Sequence, residues 1–262
     1  MIMFLRHLLL INYLFTVSGF VLSSSPFNDW FAIDFVKNID KKKPYAFQVG
    51  ELPLVTWFSD TEQGRVHTTI NICKHMGSKL DHGSVNDGCL RCPYHGLIYD
   101  SEDAFGETMI YQDKLWSYEP KRKKPLSIPF YSNKNYQKSF LKVDMNANIV
   151  DCALNTMDIH HPSFIHNNIF GIAKDISNIE IIEYPKKQNR VGLSFGYNSK
   201  SSLIHLKNEL KQSKNFHIYD YPYTTWSRVS LLNDQHMIVN VNLLPLEENK
   251  TRWLVTLLHN YW

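Results

Sequence analysis

Cys73-Lys-His75, sixteen further residues, then Cys92-Pro-Tyr-His95-Gly constrain this chain more than any other feature. Each short arm carries one thiol and one imidazole. A fold that uses them must bring two loops to one place. Gly77, Gly83, Gly88 and Gly96 lie between or beside the arms, where glycine permits positive φ and close backbone approach. Pro93 stiffens the second arm just before its His. Asn86-Asp87-Gly88 is a turn signal, which places the arms on adjacent hairpin loops.

Two metal chemistries use these donor atoms. Zinc takes two Cys and two His in a tetrahedron, but its usual spacing pairs the Cys with two or more residues between them and then gives His-x₃₋₅-His. Here each arm mixes the two residue types, and one arm has a single spacer. A [2Fe–2S] centre of mixed ligation needs this set, with two Cys on one iron and two His on the other. Cys73, His75, Cys92 and His95 are therefore read as cluster ligands. Neutral imidazole in place of thiolate lowers the cluster's negative charge and raises its potential. Backbone N–H groups of such loops tune it further. Cys89 and His82 fall outside the pattern and are read as a packed thiol and a loop histidine.

The two arms together resemble the Rieske domain of the Rieske non-haem iron oxygenases, with the pheophorbide a oxygenase-like branch as one candidate. The same arms also suit a stand-alone Rieske ferredoxin. A second motif bears on the choice: Asn155-Thr-Met-Asp158-Ile-His-His161-Pro-Ser-Phe-Ile-His166. Asp158, His161 and His166 are similar to the family's mononuclear-iron signature. Its chemistry is a facial triad, two His and one carboxylate that leave open positions on Fe(II) for O₂ and substrate. Asp158 and His161, three apart, share one face of a helix expected over Val150–His161. His166 is brought round by a break at Pro162. His160 faces about 100° away from His161 and is taken as non-ligating. The resemblance implies that Asp158 bridges a cluster ligand of one subunit and an iron ligand of its neighbour. It also implies that Asn155 is a polar group near the iron.

The family's third iron ligand is a carboxylate on a late helix. No convincing helix follows the strand-like run Thr251–His259 before Trp262. Asp220, Asp234, Glu247 and Glu248 lie in strand or turn contexts and are not assigned to the iron. The catalytic domain is therefore expected to be incomplete at its C-terminus, or divergent. Leu97 stands where many members carry Trp.

Length and composition fit two domains: 262 residues, 44% apolar and 13% aromatic. A net charge of +3, from 28 basic and 25 acidic residues, is too balanced to imply nucleic acid. Four Cys make no disulfide framework. At the N-terminus Arg6, an apolar stretch from Leu8 to Leu22 and Ser23-Ser-Ser-Pro26 read as a targeting-like segment over 1–25. Import into an organelle, plastid-like, is the more coherent expectation, because a secreted enzyme of this kind lacks a reductant. Membrane association through the same segment, or a cytoplasmic protein, is the alternative. The basic run Lys121-Arg-Lys-Lys124 reads as a solvated loop.

Strands are expected at Tyr45–Val49, Leu54–Phe58, Val66–Ile72 and Phe140–Val143. More follow at Glu180–Tyr184, Val191–Tyr197, Phe216–Tyr221, Trp226–Leu232, Met237–Leu243 and Arg252–His259. Ser201–Lys214 is a polar connection. The fold class is α+β: an all-β Rieske domain over 28–130, then an antiparallel-sheet, helix-grip catalytic domain over 131–262. The resemblance implies a [2Fe–2S] cluster, a mononuclear Fe(II), a small apolar or aromatic substrate, O₂, an external donor (ferredoxin or reductase) and a homotrimer. The alternative is a Rieske electron carrier without oxygenase activity. A zinc-binding interaction module is a third reading.

Overall fold

The computed structural model describes residues 29–118, 124–165, 172–184, 190–200, 213–230 and 235–261. The targeting-like segment 1–25, His166, residues 121–123, the connection 201–212 and Asp234 lie outside the described residues.

The N-terminal part consists of three small antiparallel sheets. The first joins β1 (Phe31–Phe35), β8 (Glu107–Tyr111) and β9 (Lys114–Tyr118) in the order β1-β9-β8. The second is the meander of β2 (Tyr45–Val49), β3 (Leu52–Asp60) and β4 (Arg65–Ile70). The third is β5 (Ser84–Asn86), β6 (Cys89–Arg91) and β7 (Ile98–Tyr99), which carries the ligand arms. The expected turn is present. Asp87 and Gly88 join β5 to β6 with φ of 52° and 75°, the double left-handed conformation that suits the right-handed twist of a hairpin. The first sheet was not foreseen in the sequence.

The C-terminal part is one seven-stranded antiparallel sheet. It contains β10 (Gln137–Met145), β11 (Ile172–Glu183), β12 (Arg190–Lys200), β13 (Ser213–Asp220), β14 (Thr224–Ser230), β15 (His236–Glu247) and β16 (Lys250–His259). The order is β10-β16-β15-β14-β13-β12-β11. Helix α1 (Ile149–Met157) lies on one face, packing Cys152, Ala153 and Met157 against Leu193, Phe195, Tyr219, Val241 and Leu243. Asn148 caps it by accepting from the Asp151 N–H at 2.9 Å.

The expected ligand helix over Val150–His161 is shorter. It ends at Met157, and Asp158 is its C-cap, donating its N–H to Leu154 O and Asn155 O. A separate short helix, α2 (His161–Ile165), begins at His161. Pro162 therefore sits in a first turn instead of breaking a helix. Its missing N–H costs nothing there, and its φ is already helical. The break falls four residues earlier than the proline suggested, so Asp158 and His161 do not share one helical face.

The two parts share a core. Phe31, Ile33, Leu54, Phe58 and Leu115 pack with Leu244 and Leu246 of the large sheet and with Tyr223 in its β13–β14 turn. Two polar knots cross the same interface. Buried Asp34 accepts from Tyr45 Oη at 2.5 Å, Lys142 Nζ at 2.6 Å and Asn38 Nδ2 at 2.7 Å. Burial raises its pKa, but these donors outweigh burial and hold the carboxyl below its ordinary range. Lys114 is fully buried and donates to Asn240 Oδ1 at 2.9 Å and Asn242 Oδ1 at 2.5 Å. Burial lowers its pKa to about 7, against a small opposing pull from Asp113. A neutral amine still has two N–H donors, enough for both amide oxygens.

Between pH 7 and 10.5 the unfolded chain keeps a proton on Lys114 that the folded chain gives up. Stability therefore rises with pH across that window, by up to roughly 5 kcal/mol. Lys114→Met should remove this rise. Denaturant midpoints measured at pH 7 and pH 9 should diverge less in the variant than in the unaltered chain. Equal divergence would show that Lys114 does not titrate there.

Candidate functional site

The first ligand arm leaves β4, and the second is the β6–β7 hairpin loop. The two loops have one backbone design. In each, the Cys N–H donates to the carbonyl five residues on: Cys73 to Ser78 O and Cys92 to Leu97 O, both at 2.8 Å. In each, a glycine four residues on donates back to the Cys carbonyl: Gly77 at 2.8 Å and Gly96 at 3.0 Å. Both glycines have φ of 73°, a conformation that a side chain disfavours. The loops thus face each other as near copies, and the His75 and His95 ring centroids are 4.9 Å apart. Asn71 anchors the first loop, accepting from the Leu80 and Asp81 N–H groups and donating to the Asp81 carboxylate at 2.8 Å.

The donor set is polarised. Cys73 and Cys92 are buried among Val55, Trp57, Leu80, Leu90 and Tyr99, whereas His75 and His95 are exposed. Burial alone would raise the Cys73 thiol. Hydrogen bonds from Tyr99 Oη, at 3.3 Å, and from the His75 and Met76 N–H groups and the Cys92 thiol outweigh it and bring the pKa below its ordinary value. Tyr99 Oη itself accepts from the Lys74 N–H at 2.8 Å, which polarises its donation to sulfur. This environment favours thiolate, the form that binds iron. Among the described residues no three His, Cys, Asp or Glu side chains converge on a single metal. A binuclear cluster does not need that, since its ligands come in two pairs.

The second site is a cavity of about 350 Å³ between the large sheet and the ends of the helices. Asn155, Thr156, Ile159, His161 and Pro162 line its helical side. Strand periodicity supplies the rest, from the odd-numbered positions of β13 to β15 with Phe195 and Trp253. His161 Nδ1 lies 2.9 Å from Asp158 O. A carbonyl only accepts, so this nitrogen carries the proton, and Nε2 keeps the lone pair a metal needs. The Asp158 carboxylate accepts from the His160 N–H at 2.8 Å, which makes Asp158 a helix-terminating group as well.

With this geometry in place, comparison with known proteins decides the nature of the N-terminal part. Residues 29–119 match the Rieske [2Fe-2S] domain family. This chain carries a Rieske domain. The matched stretch holds both ligand loops and all three small sheets. Over 76 residues the chain is 32% identical to pheophorbide a oxygenase, chloroplastic, of Oryza sativa subsp. japonica, covering 29% of this chain and 14% of that protein. Over 88 residues it is 33% identical to chlorophyllide a oxygenase, chloroplastic, of Arabidopsis thaliana, covering 33% and 16%. The chain thus spans well under two thirds of these relatives. Among solved structures, dicamba monooxygenase bound to dicamba superposes with a TM-score of 0.72 at 15% identity, over 89% of this chain and 78% of that one. Pseudomonas putida CBB5 NdmA with caffeine gives 0.71 at 14%, over 88% and 74%. The likeness extends the fold beyond the Rieske domain to the large sheet.

The structure thus gathers Cys73, His75, Cys92 and His95 on the paired loops of the Rieske domain, and places Asp158 at the end of α1 and His161 at the start of α2. His166 lies outside the described residues. Asp220 is not available as a further ligand, because Arg190 holds it in a two-point ion pair at 2.5 and 2.7 Å. Among the described residues no helix is long and apolar enough to cross a membrane. His217 and Tyr99 were missed in the sequence. Each sits in a strand whose alternation looks structural, and only the fold reveals what it faces.

Tyr99→Phe removes one donor to Cys73 sulfur. If that bond strengthens on reduction by about 1.4 kcal/mol, the cluster potential should fall by about 60 mV. Redox titration of the purified chain checks this. An unchanged potential would show that Tyr99 only packs.

Proposed function

We propose that this chain is the catalytic component, or part of it, of a Rieske-type oxygenase. In this reading Cys73, His75, Cys92 and His95 hold the [2Fe–2S] cluster, His161 and His166 hold a mononuclear Fe(II), and Asp158 lies on the route between such sites. The observation that carries it is the position of His161, its Nε2 left as the basic nitrogen, at the rim of a largely apolar cavity. Loaded, the cluster would supply single electrons and the iron would supply O₂ activation. The division into a Rieske part over 28–130 and a catalytic part over 131–262 follows the break between the small sheets and the large one.

The protein's own groups do the positioning. The Asp158 carbonyl orients the His161 ring. Helix α1 and the sheet hold a cavity from which bulk water is largely displaced when an apolar molecule enters. A separate electron donor, a ferredoxin or reductase, reaches the Rieske domain away from the subunit contact, which takes up its exposed imidazole side. There Met76 and Tyr94 are 65% and 64% exposed. Phe164 and Ile165, beside His161, are 73% and 70% exposed. Two apolar patches, one next to each proposed metal site, favour head-to-tail association of identical subunits, which closes into a ring such as a trimer. The names of the two plant relatives place them in chloroplasts, and with the N-terminal segment this supports a plastid-like location. The carrier reading leaves the cavity and the His161 geometry without a use.

His161→Ala should lose one iron per chain while the reduced protein keeps its low average-g paramagnetic signal. Unchanged iron content would remove the mononuclear site. Asp158→Asn should retain both metals and slow cluster reoxidation with O₂ and substrate at least tenfold. Its amide cannot accept a charge-assisted bond from a ligand imidazole. Unchanged reoxidation would take Asp158 off the electron route.

A further inference from the structure

We infer that the cavity beside His161 takes an uncharged, mostly apolar molecule of about two fused rings, whose polar group meets His217. The cavity volume is about 350 Å³. A cavity of ~150 Å³ already holds benzene, so this one has room for roughly two rings with small substituents. A porphyrinoid macrocycle exceeds it. What becomes of the ligand rests on the oxygenase reading; what the cavity accepts does not.

The walls set the charge. Ile159, Phe195, Val229, Val239, Val241 and Trp253 form the apolar lining. The remaining described lining residues are uncharged hydroxyl, amide and imidazole groups and one proline, and among the described residues no Asp, Glu, Lys or Arg lines the cavity. With the mononuclear iron absent, a carboxylate or quaternary ammonium would enter without a counter-charge, at a cost that an apolar site does not repay; the iron itself would be the one counter-charge open to a carboxylate. An uncharged molecule pays only for its one polar group, and only if that group is hydrogen-bonded.

His217 is the group placed to do so. It occupies the middle of a cross-sheet row, Leu193–His217–Ser227–Val239. Its ring stands edge-on to Phe195, with centroids 5.1 Å apart at 79°. It is buried, and its Nδ1 has no hydrogen-bond partner within the protein. The ring donates its other N–H to the backbone of Thr156 and Met157, so in the neutral imidazole Nδ1 is an acceptor, which suits an N–H or a hydroxyl. Ser227, directly opposite in β14, is small enough to leave the space open.

The test is calorimetric titration of the full chain, cluster in place and mononuclear iron removed, with four probes: indole, indene, indole-3-carboxylate and benzyltrimethylammonium. Indole should bind about tenfold more tightly than indene, which has the same shape without the N–H. The two ions should bind at least tenfold more weakly than indole. His217→Phe should erase the indole–indene difference, and His217→Gln, which keeps an amide donor and acceptor, should restore part of it. Ser227→Phe should abolish binding of both, and it serves as a second variant if His217→Phe does not fold. Equal or tighter binding of either ion, or an indole preference that survives both His217 variants, overturns the inference. Indole binding as expected without O₂-dependent reoxidation of the cluster would leave this inference standing and remove the oxygenase reading. Turnover of another substrate with no probe binding would do the reverse.

Discussion

Strand β15 is buried along nearly its whole length, and both halves of the molecule depend on that. Period-two alternation splits its side chains. Val239, Val241 and Leu243 face helix α1 and the cavity. Asn240, Asn242, Leu244 and Leu246 face the Rieske domain. A one-residue slip would send two amides into the apolar cavity and two valines onto Lys114. The buried Lys114 pair therefore fixes the register of β15 as well as the docking of the Rieske domain. Breaking it by truncating the lysine would leave two amide oxygens short of a partner, at a cost of about 1 to 3 kcal/mol each.

The Rieske loops meet a different constraint. Thiolates need donors and imidazoles need access. The fold meets both by turning the Cys side inward and the His side outward. Trp57 supports the inner side, and its Nε1 donates to Gly88 O at 3.2 Å, tying the β5–β6 turn beneath the loops to the meander. The outward turn leaves an apolar rim around the histidines, with Met76 and Tyr94 unprotected unless another protein covers them.

Much of this was legible in the sequence because it depends on local chemistry. The strand at Tyr45–Val49 appears as expected, and the strands of the large sheet begin one to eight residues before their expected runs, with polar pairs such as Arg252 and Asp144, at 2.8 and 3.0 Å, extending the ladders; those expected to end at Tyr184, Tyr221 and Leu232 stop one or two residues earlier. The pairing of two loops that brings Cys73, His75, Cys92 and His95 together, and the Asp87-Gly88 turn, could be read from spacing and composition alone. Lys114 could not, because a lysine flanked by Asp113 and Leu115 looks solvent-exposed until a distant strand closes over it. The signal lay in that strand: Asn240 and Asn242 alternate within an otherwise apolar run, and two buried amides two residues apart require a shared partner. His217 was hidden for the same reason, within an aromatic stretch.

The end of helix α1 was misread, and the misreading explains the cavity. Had the helix continued through His161, as the three-residue spacing from Asp158 suggested, another turn would have lain over the sheet where Thr225 and Ser227 leave their space. Instead the chain leaves the helix at Asp158. Its carboxylate captures the next free N–H, and its carbonyl turns the His161 ring. Asx-type capture of this kind competes directly with helix propagation. The same residue therefore stops the helix, uncovers the sheet and sets His161 at the edge of the uncovered face. Small side chains on β14 would be a packing defect beneath a continuous helix. Beneath an interrupted one they form the floor of a cavity, and the packing stability given up there is the cost of keeping it open.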